Sequence, residues 1–418
     1  MKCSAACRPR RPSGNGEMRS PVRRSPGGLR IGALLVLLLV LLTGFSMAPV
    51  SAQSAENTEE YSLEQTQQQL EGQLESSGAA QLPQKLTSDT QKLMRKLGID
   101  SIDFQTILQL KPSDCLSLAG AVAKDALKQP LRTLCLLLGV ILLCALADGL
   151  RQGVTSDGAL TVFRVTVLLC VSGVLLQPVM DCIQRAAQSI QDGANFLISF
   201  VPVFASILTV SGRVVSAGAY QTLLFAAAQG VAQLAARMLV PLLGIYLAFC
   251  IVSALAPDFQ LGKAAQSVKT FVSWMLGLAV TLFVSFLGLQ SFVASGADTL
   301  TLKTAKFVLG SAIPVVGGAI SDALSTTHAC IGLLRTSVGV YAVAAVCLTL
   351  LPILMECIVW IVVMKLASIA ADIMGIAPVS QLFSAVLNTF GILIAILASF
   401  LLLVVVTTTL MMMVGVGT

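Results

Sequence analysis

Charge and histidine are what this chain of 418 residues most lacks. Charged residues make up 11% of it, under half the ~25% of an average soluble domain, while 56% is hydrophobic and the mean hydropathy is +0.85. So little charge cannot coat a water-soluble globule. Runs of 17 or more apolar residues make the bilayer its solvent. One histidine, His328, excludes a zinc site of familiar spacing and leaves a serine/histidine protease a single imidazole. The GxSG, HExxH and GxGD signatures are absent, as is a phosphate-cradling Gly-xxxx-Gly-Lys-Ser/Thr loop. No catalytic, cofactor or metal residue is therefore assigned, and energy from ATP would have to come from a partner. The 11 cysteines are odd in number and contain no CxxC pair. Cys135, Cys144, Cys170, Cys250, Cys347 and Cys357 lie in apolar runs, where a thiol packs as a small side chain.

The net charge of +6 is not a nucleic-acid signal, because its basic excess sits at one end. Eight basic residues between Lys2 and Arg30 precede the first apolar run, against Glu17 alone. That run, Ile31 to Met47, ends in Val50-Ser51-Ala52, so residues 1–52 read as a secretory signal with a long basic n-region. Met18-Arg19 opens an n-region of ordinary length, which makes Met18 a rival to Met1 as the start. An uncleaved anchor is the alternative, and in either case residue 53 begins outside the cytoplasm.

Residues 53–130 form an acidic extracytoplasmic helical region. From Gln53 to Gln129 there are 11 acidic and 7 basic residues. Leu93, Met94, Leu97, Ile107, Leu108 and Leu110 offer small amphipathic faces, and Pro112-Ser113-Asp114 caps a helix running toward Lys128. Such a region suits a contact surface better than catalysis.

Residues 131–418 read as a polytopic helical membrane domain with internal repeats, in units 131–237, 238–348 and a partial 349–418. Leu138-Gly139-Val140 and Leu243-Gly244-Ile245 correspond, and Pro241 and Pro352 lie 111 apart. Leu176-Gln177 and Leu289-Gln290 close the second helix of each unit, and polar stretches follow, Asp181 to Asn195 and Ser295 to Lys306. Next come Phe200-Val201-Pro202-Val203 and Ala312-Ile313-Pro314-Val315, their prolines 112 apart. Chance is the rival reading, since sequence drawn from Leu, Val, Ala and Gly matches itself easily. Paired, proline-interrupted segments are where repeat transporters place broken helices, so Pro202 and Pro314, with Gly317 and Gly318, are candidate pathway residues. Eight or ten spans after the signal follow, according to whether the proline segments are re-entrant or cross. The flanking lysines and arginines do not decide the orientation.

Ionisable residues inside apolar runs are functional candidates because charge at the bilayer centre is expensive. Glu356, between Met355 and Cys357, is the sharpest. It either holds a proton or ion, or is hydrogen-bonded within a helix interface. Arg164, Arg185, Arg237 and Arg335 lie near span ends and are expected to snorkel to headgroups. Gln221, Gln229 and Gln233, among Ala226, Ala227, Ala228 and Gly230, make a helix poor for facing lipid and suited to helix packing or a cavity wall.

A signal, an acidic head, and a Gly/Ala-rich polytopic region holding Phe200-Val201-Pro202-Val203 and Leu309-Gly310-Ser311-Ala312-Ile313-Pro314-Val315-Val316-Gly317-Gly318 together resemble the stage III sporulation protein AE family. The likeness runs from about residue 60 to the C-terminus. It implies a role in endospore formation alongside the other proteins of one operon, including a secretion-type ATPase and ring-forming proteins. They would form a complex linking mother cell and engulfed forespore that sustains late forespore gene expression as a feeding or secretion channel. The expected location is the mother-cell membrane around the forespore. The resemblance supplies no catalytic residue. The alternatives are a self-sufficient secondary transporter and, more distantly, an intramembrane protease.

Overall fold

The computed structural model describes residues 72, 77–99, 102, 112–150, 157–256, 261–312 and 317–413. The expectations for the signal, for 53–71 and for Pro314 lie outside them. All regular structure among the described residues is helical. A 3-10 turn, Ala79–Lys85, precedes α1 (Ser88–Lys96), α2 (Pro112–Ala126), α3 (Lys128–Leu150) and α4 (Asp157–Val210). Then follow α5 (Val214–Leu234), a π turn (Ala235–Leu239), α6 (Val240–Leu255), α7 (Leu261–Ala312), α8 (Gly317–Ile373) and α9 (Ala377–Met413). Many of these helices are rich in Val, Ile and Thr, poor helix formers in water. Lipid leaves the backbone no other hydrogen-bond partner, so a long apolar run becomes helix whatever its intrinsic propensity.

Among the described residues six helical stretches are long and apolar enough to cross a membrane: 128–146, 165–210, 214–255, 261–290, 331–373 and 377–410. Six such stretches among the described residues stand beside the eight or ten spans expected from hydropathy. The break expected at Pro202 is absent, for α4 runs uninterrupted through Pro178 and Pro202 over 54 residues. Likewise Pro352, the expected start of a third unit, lies inside the 57 residues of α8, and the boundary at 237/238 falls within the π turn. A proline removes one donor and crowds one carbonyl, at a cost of about 3 kcal/mol. Pro202 is exposed, and its neighbours Phe200, Val201 and Phe204 are buried, so packing on both sides of the ring holds the helix on course. At 1.5 Å per residue α4 is about 80 Å long, well beyond the ~30 Å hydrocarbon layer. A single perpendicular crossing leaves more than half of it outside the apolar zone.

Three helices end alike, because glycine alone takes a left-handed residue cheaply. Gly212 (φ 76°) closes α4 with Arg213 N–H donating to Leu208 O at 3.1 Å, and Gly375 (φ 73°) closes α8 with Ile376 N–H donating to Ala371 O at 3.0 Å. Gly98 closes α1 in the same way. The tight turn at 211–213 returns the chain as α5 directly beside α4.

The core surrounds α9, whose Phe383, Phe390, Leu397, Phe400 and Val404 are wholly buried. Phe390 stacks on Trp360 of α8 with centroids 5.8 Å apart and rings 9° from parallel. Gly193 lets α4 approach α9 closely, since a Cβ there would lie 3.0 Å from Phe400. By contrast α7 carries Phe271, Trp274, Leu278, Leu282, Phe286 and Leu289 exposed at spacings of three and four, the pattern of a lipid-facing stripe. The head is tied to the bundle, with Thr90 of α1 hydrogen-bonded to Thr349 of α8 at 3.1 Å. The boundary expected at 130/131 falls inside α3.

Candidate functional site

On α4 the large exposed apolar side chains stop at Leu176 and resume at Val210. Between them Asp181, Gln184, Arg185, Gln188, Asp192 and Asn195 recur every three or four residues, which puts them on one face for four turns. That face is kept in register by its own hydrogen bonds, Gln188 Nε2 to Asp192 Oδ1 at 3.0 Å and Gln191 Nε2 to Asn195 Oδ1 at 3.1 Å. The opposite face, with Cys182, Ile183, Ala186 and Ile190, is buried. α4 is thus apolar against its neighbours and polar outward, the reverse of a helix immersed in lipid.

Where this stretch crosses α8, Arg185 grips Glu356 with two nitrogens: Nε donates to Oε2 at 3.2 Å and Nη2 donates to Oε1. One turn away the Sγ atoms of Cys182 and Cys357 lie 3.8 Å apart, both buried. The Glu356 side chain is 16% exposed and that of Arg185 is 45% exposed, so the pair has a dry carboxylate and a half-wet guanidinium. A bidentate arginine–carboxylate pair fixes both distance and rotation between two helices. Glu356 therefore faces α4. The snorkelling expected of Arg185 gives way to this pairing, because a carboxylate within reach is a better acceptor than a distant headgroup. Arg335 does not snorkel either. It is 6% exposed and donates from Nη2 to Met412 O at 2.9 Å.

The other singled-out residues lie elsewhere. Pro202 is on the exposed side of α4, four turns or more from Arg185. Gly317 and Gly318 open α8, far along the helix from Glu356. Gln229 is half-buried on α5, with Gln221 and Gln233 exposed on the same side. That side also carries Gly218, Thr222, Ala226 and Gly230 at strict four-residue spacing, and a Cβ added at Gly218 or Gly230 would meet nothing within 4 Å. Among the described residues nothing comes within 4 Å of a Cβ placed on the two glycines of this small, polar face. The sequence candidates are thus not one constellation.

One polar locus gave no signal in the sequence. Lys269 lies within α7 and donates from Nζ to Asn388 Oδ1 of α9 at 2.7 Å. Beside them a cavity of ≈ 150 Å³ is lined by Tyr246, Cys250, Ser253, Gln266 and Gln381. Among the described residues no three His, Cys, Asp or Glu side chains come together as metal ligands.

A family model described as stage III sporulation protein AE matches residues 103–415. The stage III sporulation protein AE of Bacillus subtilis (strain 168) is 26% identical to the chain over 214 residues, 51% of this chain and 52% of that relative. The aligned part of the chain spans about half the relative's length. No solved structure matches. The family match takes in the end of the head and all six apolar helices, and the chain belongs to the stage III sporulation protein AE family.

Proposed function

We propose that this chain is a non-enzymatic, multi-span component of the sporulation complex that joins mother cell and forespore, supporting late forespore gene expression as part of a channel or export apparatus. It sits in the mother-cell membrane around the forespore with its head in the intermembrane space. It works with the other proteins of its operon, among them a secretion-type ATPase and ring-forming proteins. The observation that carries this reading is the family match over residues 103–415. Two features of the fold support a part in an assembly: the open Gly/Ala/Gln face of α5, suited to close helix packing, and the four-turn polar face of α4. The duplication proposed from sequence is carried by its matched offsets alone.

The test is deletion and capture in a spore former. Deletion is expected to stop late forespore reporter expression, and tagged chain solubilised from sporulating cells is expected to bring down the ATPase and ring proteins. Normal spores without the chain, or capture of none of those partners, would sink the proposal. A second reading, transport by this chain alone, draws on the polar cavity beside Lys269. Ion-driven uptake by purified chain in liposomes would favour it.

Placement of the head has its own check. Cys115 on α2 is exposed and lies outside the six apolar stretches. Partial burial and the neighbouring Asp114 carboxylate push its thiol up. Since the thiolate is the reactive form, an impermeant maleimide is expected to label it slowly at neutral pH and faster as pH rises. In intact protoplasts expressing the chain this labelling should be lost in Cys115→Ser. Labelling only after lysis would put the head inside.

A further inference from the structure

The turn between α4 and α5 meets α8 and the end of α9 in one corner of the bundle, where Arg335 of α8 donates to Met412 O and Tyr220 of α5 donates to Thr407 O. Two arginines are buried there. Arg213, in the turn between α4 and α5, is 8% exposed and Arg335 of α8 is 6% exposed. They are near enough to repel one another. Arg335 uses Nη2 on Met412 O, while its Nε has no partner. The guanidinium of Arg213 has no partner among the described residues, and its nitrogens, unlike Nε of Arg335, reach solvent. Ser216, 5% exposed, also has an unpartnered hydroxyl oxygen in the first turn of α5.

Among the described residues one buried carboxylate is at hand, Asp298 of α7, and it is already taken. Its oxygens accept the backbone N–H groups of Val215 at 3.1 Å and Ser216 at 2.9 Å, and it makes no ion pair with either arginine among the described residues. Among the described residues two guanidinium groups stand against one carboxylate, an excess of one positive charge, to which the N-terminal dipole of the 21-residue α5 adds. Arginine does not escape burial by losing its proton, and unpaired buried charge costs several kcal/mol. An idle guanidinium fork, an idle N–H and an idle hydroxyl at a helix N-terminus are donors suited to a tetrahedral oxyanion. The corner lies at the turn between two apolar stretches, one ending at Val210 and the next beginning at Val214, the level at which lipid phosphates are found.

We propose that Arg213, Arg335 and Ser216 form a binding site for a phosphate group, carried by an anionic lipid headgroup or by a free phosphate. Occupancy clamps the α4–α5 turn to α8 and to the end of α9. This proposal stands independently of the function proposed above.

The test is a reversal of sign. Full-length chain and Arg213→Gln are placed in nanodiscs of phosphatidylcholine, of phosphatidylcholine with added inorganic phosphate, and of phosphatidylglycerol, and the melting temperature is measured. In phosphatidylcholine alone the variant is expected to match or exceed wild type, because one of two repelling charges is gone. In phosphatidylglycerol wild type should gain several degrees and the variant much less, so that their order inverts. The same gain from inorganic phosphate assigns the site to a free anion, and a gain from phosphatidylglycerol alone assigns it to a headgroup. Equal gains for both chains, or none, overturn the site. So does a variant that is less stable than wild type, or fails to fold, in phosphatidylcholine. That result would mean that the arginine already has a partner within the chain.

Discussion

Glu356→Lys should abolish sporulation, and Glu356→Gln should leave it near wild type. The lysine would put a second cation against Arg185 at a helix crossing where the present carboxylate is 16% exposed. Breaking a buried pair in this way costs about 3–5 kcal/mol, and the half-exposed guanidinium places the effect at the lower end. Against a total stability of roughly 5–15 kcal/mol, that separates or reorients α4 and α8 in much of the population. Glutamine keeps the length of the side chain and one oxygen acceptor for Arg185, whose exposed half reaches water, so about 1 kcal/mol or less is lost. Heat-resistant spore counts alongside protein levels are the readout. Adding Arg185→Glu to Glu356→Lys restores an ion pair of reversed polarity and should recover spores. Full sporulation by the single lysine variant would show that the crossing is not held by this pair. Loss of spores in Glu356→Gln at normal protein level would mean that the charge itself is used, as in proton or ion coupling.

The class of fold was legible in the sequence because hydropathy is a sum over many residues, and a chain this apolar has few folds open to it. The number of crossings was not. Hydropathy separates apolar runs wherever a proline or a polar stretch interrupts them, and at Pro202, at Pro352 and between Asp181 and Asn195 neither interruption ends a helix. Pro202 and Pro352 are carried through by packing on both sides, and Asp181 to Asn195 places its polar groups on one face of an unbroken α4. A sequence read linearly sees two short elements where three-dimensional packing makes one long one.

The site was legible in half. Glu356 stands out because a carboxylate in an apolar run demands a reason, and the α5 glutamines stand out likewise. Their partners do not. Arg185 lies 171 positions from Glu356, and near a run end an arginine has a cheaper explanation in snorkelling. Arg213, Arg335 and Asp298 are brought together from two separate helices and a turn. In each case the missing information is the long-range contact, which local periodicity does not encode.

Asp298→Ala should produce the largest loss of stability outside the core. α5 begins with Arg213 at its cap position and has no side-chain cap of its own. Asp298, more than 80 positions further along, supplies what a local Ser or Asp supplies in most helices. At 1% exposure it accepts from Val215 N–H at 3.1 Å and Ser216 N–H at 2.9 Å. Alanine would strand the buried Ser216 donor, at about 1–3 kcal/mol, free the half-exposed Val215 donor to water at less, and remove the negative charge from the positive end of the helix dipole, worth up to ~2 kcal/mol. The same carboxylate lies beside the turn that carries Arg213, so its removal also leaves the buried guanidinium charges less compensated. A fall in melting temperature of roughly 10 °C follows, with folded yield reduced accordingly. Asp298→Asn keeps one oxygen acceptor but turns an N–H₂ group toward the second donor, and it should fall between wild type and alanine. A melting temperature for Asp298→Ala within a degree or two of wild type would show that water reaches the first turn of α5. In that event the corner is wet, and neither the distant cap nor the buried charges around it hold the α4–α5 turn in place.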